Sequence, residues 1–367
     1  MSGEEIVLKI NITGSGGSGK TRLIITAGAT AQDKDIRVDN LTPWSEEFVS
    51  TVGGQFFNFG PFKAKTENQF YQFAVWDLGG QIRYSDVRKV YLEGTDAILA
   101  VVDISRKYSL QILRSAMLRT EVKEVCGNRV PILICGNKAD LRDLILTHVD
   151  EIAQVIYTCL QEIIEEKMIK YQINIKIGPE KGVKKFQSQI RQLNDRPALR
   201  VADFEVVVYK ALLEYVEKSE NQESFTNMNL KLLARELWFV LTDALFEEIR
   251  GDKLPYSLLE RASLGSPLFR EYTKDPDVLV PIDWSLKHLK NLIKSLIIQK
   301  NDLKKFIEEL KSEGYRIVNL YETSVLTNHQ EVWSVFSNLF KEALNSKSQT
   351  NTPNEPDAFT LANFEDF

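Results

Sequence analysis

The sequence predicts an α/β domain with a doubly wound, mostly parallel sheet, interrupted by a large and mainly α-helical insertion. Three observations predict this class. Short apolar runs alternate with helical stretches through the first 140 residues, a glycine-rich loop follows the first run, and another strand and helix appear near the carboxyl end. A chain of 367 residues can hold two domains, or one domain with a large insertion.

The first part of the chain contains the predicted strands of the sheet. An alternating run, two aromatic-rich runs joined by "KTEN" as an antiparallel hairpin, and two wholly apolar runs each have strand character. The wholly apolar runs are typical of parallel strands covered on both faces. A helix around 110–125 is expected between them. The predicted strands are 6–12, 56–63, 70–76, 97–103 and 130–135.

After Asp140 the predicted elements become mainly helical. We expect a helix at 149–170, a strand at 171–177, two helices within 201–250, a proline-rich loop at 251–283, one long basic helix at 284–311, a strand at 315–321 and a helix at 331–344. The expected organisation is a first part of the α/β domain at 1–147, the insertion at 148–300, the last strand and helix at 301–347, and a disordered acidic tail at 348–367.

Bulk composition indicates a cytoplasmic protein. The formal net charge of −5 argues against a nucleic-acid partner. Three cysteines, Cys126, Cys135 and Cys159, fit buried thiols in a reducing compartment better than a disulfide framework. The sequence suggests no signal peptide, no transmembrane segment and no lipidation motif, since Ser2 replaces the glycine needed for myristoylation.

The segment "GSGGSGKT" matches the pattern G-x-x-x-x-G-K-[ST] directly after a predicted strand, the context that this pattern requires. Glycines allow successive backbone N–H groups to point at phosphate oxygens, next to a helix amino terminus. Lys20 is then expected to reach the β- and γ-phosphates, and the Thr21 hydroxyl to bind Mg²⁺. The remaining predicted phosphate-binding residues are Gly14, Ser15, Gly16, Gly17, Ser18 and Gly19.

The segment "VWDLGGQ" supplies the next part of the predicted site. Asp77 ends an apolar strand, where its carboxylate can hold the magnesium through a water. The Gly80 amide is placed to sense a γ-phosphate, and Gln81 to orient an attacking water, which makes Gln81 and Lys20 the candidate catalytic residues.

These motifs resemble those of the Ras superfamily of small GTPases. "WDLGGQ" followed by "VRKVYLEGTDAILAVVD" is similar to the Arf-like branch, and "NKAD" resembles the guanine-recognition motif. The resemblance implies a P-loop GTPase fold that binds GTP or GDP with Mg²⁺ and hydrolyses GTP slowly. Asp140 can accept two hydrogen bonds from guanine, and adenine offers neither donor. Asn137 and Lys138 would brace the base and the phosphate loop.

The resemblance also implies two further parts of the site. Thr51, directly before the predicted strand 56–63, is the favoured magnesium-binding threonine of the first switch loop, with Thr42 as its rival. "YETSV" is similar to the loop that closes the guanine pocket, so Ser324 and Val325 are the candidates there. Because this loop comes so far after Asp140, the intervening chain is predicted to be an insertion.

The leading functional prediction is a GTP-dependent switch with an exchange factor, an activating protein and effector proteins as partners. The alternative is a nucleotide-locked scaffold whose helical insertion binds a protein and whose hydrolysis is vestigial. The basic helix at 284–311 suggests contact with an acidic membrane, although burial of its apolar stripe is favoured.

Overall fold

The computed structural model describes residues 4–41, 51, 53–63, 69–80, 84–177, 198–200, 213, 215, 279–281 and 284–351. The chain divides into two compact units. Within the described residues, the first unit contains the chain up to Arg142 and again from Ile298, and the second contains the chain from Asp143 to Ile297.

Seven of the described strands form one sheet in the first unit. In chain order they are β1 Glu4–Thr13, β2 Val38–Asp39, β3 Gly54–Lys63, β4 Gln69–Leu78, β5 Ala97–Asp103, β6 Ile132–Asn137 and β9 Ile317–Thr323. The numbers β7 and β8 belong to two short strands of the second unit. Their order across the sheet is β2-β3-β4-β1-β5-β6-β9. The hairpin β3–β4 and the β2–β3 pair are antiparallel, and every other pairing is parallel.

The predicted strands of the first part are confirmed with small changes at their ends. The run at 97–103 is β5 as predicted. The run at 130–135 is shifted to Ile132–Asn137, so the strand extends to Asn137. The late strand is confirmed as Ile317–Thr323, and it pairs with β6 so that Asn137 stands opposite Thr323.

Helices of the first unit pack against this sheet. In chain order the described helices of the chain are α1 Lys20–Gln32, α2 Ser85–Leu92, α3 Lys107–Ile112, a π-helix Leu113–Val122, α4 Lys123–Val125, α5 Ala139–Thr147, α6 Val149–Ile177, α7 Leu286–Leu296, α8 Lys300–Ser312 and α9 His329–Asn351. The helix predicted around 110–125 is therefore three consecutive segments, with ten residues of π-helix in the middle.

The core of the first unit is built around stacked aromatic side chains. Phe340 of α9 stacks on Phe73 of β4 with ring centroids 4.0 Å apart, and packs against Phe59 of β3 at 5.5 Å. Leu23 and Ile24 of α1 are fully buried in the same cluster. Burial of apolar surface on this scale is the main force holding the sheet to its helices, and it fixes the strand ends that carry the polar site.

Two predictions for the later part of the chain are wrong. The strand predicted at 171–177 is instead the end of α6, which continues to Ile177. No glycine or proline interrupts the helix before Gly178. The long basic helix is two helices, α7 and α8. The break falls at Ile297, whose backbone is extended, and Gln299 begins α8 with a capping box to Asp302.

Several apolar residues of these two helices are buried. Leu289 and Ile293 of α7 and Leu303 of α8 are each less than 3% exposed. This favours burial over membrane contact for the apolar stripe. In the part of the chain that the structure describes, no helix combines the length and the apolar character required to cross a bilayer.

The second unit contains α6, α7 and a short antiparallel pair, β7 Ala198–Arg200 with β8 Leu279–Pro281. Lys290 Nζ of α7 lies 3.0 Å from Asp150 Oδ1 of α6. Apart from Leu213 and Tyr215, which are helical, the helices predicted within 201–250 lie outside the described residues, as does most of the loop at 251–283. The final helix extends to Asn351, into the predicted tail, and residues 352–367 also lie outside them.

Candidate nucleotide-binding site

The glycine-rich loop joins the end of β1 to the start of α1, at the carboxyl edge of the parallel strands. Two glycines in this loop have no room for a side chain. Gly14 has φ +149°, and a Cβ there would lie 2.2 Å from the Val101 carbonyl oxygen. Gly19 has φ +92°, and its Cβ would lie 2.3 Å from Asn137 Nδ2. The loop therefore approaches β5 and β6 as closely as backbone allows.

Lys20 folds back over the loop that precedes it. Its Nζ donates to the carbonyl oxygens of Gly14 at 2.9 Å and Ser15 at 3.0 Å. The pKa of Lys20 is lowered to about 8: burial is the main cause, the charge of Asp77 opposes the shift, and the charge of Arg88 adds to it. A buried ammonium hydrogen-bonded to neutral carbonyls is well suited to an anionic ligand.

Three predicted metal ligands come together beside this loop. Thr21 Oγ1 donates to Asp77 Oδ2 at 2.5 Å, Thr51 Oγ1 donates to the same oxygen at 3.2 Å, and the two hydroxyls are 3.1 Å apart. The three residues come from α1, the segment before β3, and the end of β4. The rival threonine, Thr42, lies outside the described residues.

Several buried polar atoms around the loop fit the binding of a cation and phosphates. Among the residues described, Asp77 Oδ1 and the hydroxyls of Ser15 and Ser18 are buried without a hydrogen-bond partner. Burial raises the pKa of the Asp77 carboxyl, although Lys20 and the two threonine hydroxyls oppose the shift. One carboxylate with two hydroxyls is the kind of oxygen set that Mg²⁺ uses together with substrate phosphates. The residues present therefore fit Mg²⁺.

Gly80 packs directly on the phosphate loop. A Cβ at this position would lie 2.5 Å from Gly16 N and 2.6 Å from Lys20 Nζ. Only glycine can occupy this place without displacing the loop. The predicted water-orienting residue, Gln81, follows immediately but lies outside the described residues.

The predicted base-recognition residues surround the carboxyl end of β6. Asn137 Nδ2 donates to the Ser18 carbonyl at 2.9 Å and so ties β6 to the phosphate loop. Lys138 has φ +69°, and its Nζ lies 2.9 Å from Asp103 Oδ2. Asp140 lies in the first turn of α5 and is half-buried.

The loop after β9 lies at the same edge of the sheet, because Thr323 pairs with Asn137. Ser324 is buried, and its hydroxyl accepts hydrogen bonds from the backbone N–H groups of Leu326 and Thr327 at 3.2 Å each. Val325 packs into the core. The structure thus brings the two predicted halves of a base pocket to neighbouring strand ends.

Sequence reasoning missed a buried charge cluster at the end of β5. Asp103 is fully buried and pairs with Arg106 at 2.8 Å as well as with Lys138. Arg106 Nη2 also donates to the Gly16 carbonyl at 3.4 Å. The signal that identifies this cluster is an acidic residue at the carboxyl end of an apolar parallel strand, the edge at which open α/β sheets bind ligands.

Residues 9–192 match the Ras family. The chain is 29% identical over 154 residues to the Ras-related protein Rab-1 of Theileria annulata, 32% over 133 residues to the ADP-ribosylation factor-like protein 8c of Arabidopsis thaliana, and 32% over 134 residues to the Ras-related protein Rab-37 of Homo sapiens. These alignments cover 41%, 36% and 36% of this chain and 61%, 61% and 52% of the relatives.

The matches support the Ras family as a whole. A Rab protein and an Arf-like protein match at closely similar identity, so the Arf-like branch is not singled out. The chain spans about three fifths of the length of the first relatives that it matches. The matched residues end before β9, which the structure nevertheless adds to the sheet beside β6.

Proposed function

The chain belongs to the Ras family of small GTPases, and from this premise we propose that it is a GTP-binding switch that hydrolyses GTP slowly with Mg²⁺. One observation carries the proposal: the side chains of Thr21, Thr51 and Asp77 meet beside the phosphate loop. Thr51 precedes β3, so a ligand held by these three residues would order the segment around it. A loop ordered by a ligand and released by hydrolysis is the element on which such a switch works.

The phosphate loop supplies the electrostatic part of the proposal. Lys20 is buried, and its ammonium is held by two carbonyl oxygens that phosphate oxygens can replace. Bound Mg²⁺ would contribute further positive charge against the β- and γ-phosphates. Thr21, Thr51 and Asp77 would hold it, directly or through water, and Gly80 would present its N–H to the γ-phosphate.

Guanine selectivity would come from the carboxyl end of β6. Asp140 would accept two hydrogen bonds from guanine, Lys138 would lie along the base, and Asn137 would keep β6 tied to the phosphate loop as it is in the structure. Ser324 and Val325 would complete the pocket. Supporting this, the partner strands β6 and β9 end in register.

Slow hydrolysis would depend on Gln81, and an activating protein would be needed for a faster rate. Gln81 would orient the attacking water, while positioning and charge neutralisation supply most of the acceleration. Arg106 is already engaged with Asp103 and the Gly16 carbonyl, where it supports the loop. We therefore expect an activating protein to raise the rate.

Partner proteins would bind at the surface next to Gly80. Helix α2 exposes Val90 at 66% and Val87 at 39% of their side chains. Nearby, Trp76 stacks on Tyr91 at 4.8 Å and contacts Phe56 at 5.0 Å, and all three rings are half-buried. Exposed apolar side chains grouped in this way favour protein binding, for an exchange factor, an activating protein or an effector.

A second candidate function is a nucleotide-locked scaffold with vestigial hydrolysis. The observation that favours it is the second compact unit, in which helices α6 and α7 pack on each other. In this reading the nucleotide stabilises the first unit and the second unit binds a protein partner.

Single-turnover hydrolysis of GTP and of ATP, each with Mg²⁺, tests the proposal on the full chain. We expect slow hydrolysis of GTP alone, abolished by Gln81→Leu with GTP binding retained. Tight GTP binding without turnover, unchanged by any Ras-family activating protein added, would favour the scaffold. If neither nucleotide bound, the proposed site itself would be wrong.

A further inference from the structure

A buried ion pair joins α2 to the π-helix directly behind the phosphate site. Arg88 Nε lies 2.8 Å from Glu121 Oε2, and Arg88 Nη2 lies 2.6 Å from Glu121 Oε1. Both side chains are only 1% exposed. The third donor of the guanidinium, Nη1, donates to the Gly79 carbonyl oxygen at 2.6 Å.

Stability alone gives a weak reason for such a pair. Removing two charges from water is costly, and well-packed apolar residues in the same volume are often as stable or more so. The pair also depends on an unusual backbone, since Glu121 lies in the π-helix Leu113–Val122. Insertions of π-helix occur frequently at functional sites. The third hydrogen bond of Arg88 holds the backbone of Gly79.

Gly79 is held at both of its backbone polar groups. Its N–H donates to the Gly53 carbonyl at 2.8 Å, on the chain that follows Thr51, and its carbonyl oxygen accepts from Arg88. A Cβ at position 79 would lie 2.8 Å from the Thr51 carbonyl oxygen, so the two segments are in direct contact. Gly79 therefore links the Thr51 segment, the end of β4 and the buried ion pair.

The carbonyl of Gly79 belongs to the same peptide unit as the N–H of Gly80. In a trans peptide these two groups point in opposite directions. A donor that fixes the carbonyl consequently fixes the direction of the N–H on the other side. The α-carbon of Gly80 lies against the phosphate loop, next to Gly16 N and Lys20 Nζ.

We propose that Arg88, held in place by Glu121, is a positioning residue that orients the Gly79–Gly80 peptide and so sets how strongly the protein distinguishes GTP from GDP. This inference rests on the proposed function, because it assigns Gly80 N–H to the γ-phosphate. Arg88 acts through Gly79 and does not itself touch the nucleotide.

The test replaces the pair without leaving a buried charge unpaired. In the double variant Arg88→Met/Glu121→Leu, both partners become apolar, which the fold tolerates better than either single change.

A matched control is available one residue along the same helix. Lys89 Nζ lies 2.6 Å from Glu124 Oε2, also joining α2 to the segment after the π-helix, but this pair is exposed at 27% and 61%. The control variant is Lys89→Met/Glu124→Leu.

The measurement is the ratio of the Kd for GDP to the Kd for a non-hydrolysable GTP analogue, at fixed Mg²⁺, with the thermal midpoint recorded separately. We expect the Arg88/Glu121 double variant to bind GDP as the unmodified chain does and to bind the analogue about tenfold more weakly. We expect the control to keep both values. A purely structural pair would change the thermal midpoint and leave the ratio unaltered.

Two outcomes would overturn the inference while leaving GTP binding intact: an unchanged ratio in the double variant, or an unmodified chain that binds both nucleotides equally. Failure of the unmodified chain to bind either nucleotide would overturn the proposed function together with this inference.

Discussion

Lys138 Nζ lies 2.9 Å from Oδ2 of Asp103, so this one buried carboxylate holds the residue that directly follows β6. The same oxygen pairs with Arg106 at 2.8 Å, and Arg106 reaches the Gly16 carbonyl at 3.4 Å. Because Asp103 is fully buried, the two cations would be left without their shared counter-charge if it were neutralised. In the proposed function, base recognition and phosphate binding would therefore both depend on a residue that belongs to neither motif.

Asp103→Asn should strongly destabilise the first unit. Removing one member of a buried ion cluster leaves uncompensated charge, and the free energy of unfolding should fall by about 3 kcal/mol. Urea denaturation followed by circular dichroism measures this. Asp39→Asn is the control, since its pair with Arg37 is exposed at 39% and 75% and should cost under about 1 kcal/mol. Equal losses in the two variants would contradict the role given to Asp103.

The stability of the protein at low pH should depend on the same carboxylate. Burial alone would raise the pKa of Asp103, but Lys138 and Arg106 overcome it and hold the pKa at about 2. The unfolded chain binds a proton near pH 4. The contribution of Asp103 is therefore complete above about pH 4 and is lost as the pH falls towards 2.

Acid titration of unfolding, in the unmodified chain and in Asp103→Asn, tests that dependence. The difference in stability between the two proteins should be constant above pH 4 and should shrink below it. A difference that does not change between pH 5 and pH 2 would show that Asp103 has no depressed pKa.

The parts of the site that follow from sequence are those with a fixed spacing on one loop. Lys20 and Thr21 begin α1 directly after a loop whose glycine pattern dictates its backbone. The structure places both beside Asp77, the acid that ends an apolar strand. Thr51 could be preferred to Thr42 only by resemblance and by its place directly before the predicted strand, because neither threonine belongs to a motif of fixed spacing.

The parts that sequence could not supply depend on contacts between distant segments or on helix geometry. The Arg88–Glu121 pair joins residues 33 positions apart, and its geometry depends on a π-helix that apolar periodicity cannot distinguish from an α-helix. The break at Ile297 was missed because the apolar spacing continues across it, while capping at Gln299 decides where α8 begins.

Gly19→Ala should lower the stability of the protein by more than the backbone strain of an alanine at positive φ. Gly19 has φ +92°, and the added Cβ would lie 2.3 Å from Asn137 Nδ2, the atom that donates to the Ser18 carbonyl. Gly94 is a matched control, since it has φ +67° and open space around the Cβ position. Gly94→Ala should cost about 1–2 kcal/mol from backbone strain alone.

We expect Gly19→Ala to lose more stability than this control and also to weaken GDP binding by at least about tenfold, a loss of 1.4 kcal/mol. Thermal unfolding and fluorescence titration with a labelled GDP measure the two effects. Similar behaviour of the two alanine variants would mean that Asn137 can move aside without consequence for the phosphate loop.

Asp140→Asn should exchange guanine preference for xanthine preference. The carboxylate of Asp140 accepts two hydrogen bonds from guanine in the proposed pocket, whereas an amide presents one donor and one acceptor. Guanine then faces an unmatched N–H group, which costs about 1–3 kcal/mol. Xanthine has a carbonyl where guanine has its amino group, and that carbonyl accepts the new amide donor.

Competition experiments with GDP, XDP and ADP give the preference of each protein directly. The unmodified chain is loaded with a labelled guanine nucleotide, and the variant with a labelled xanthine nucleotide. Asp143→Asn, a change on the same helix that lies outside the pocket, is the control and should keep the preference of the unmodified chain. Retention of guanine preference in Asp140→Asn would move the base pocket away from β6. Loss of binding to all three nucleotides, with the fold intact, would mean that Asp140 has a structural role and does not read the base.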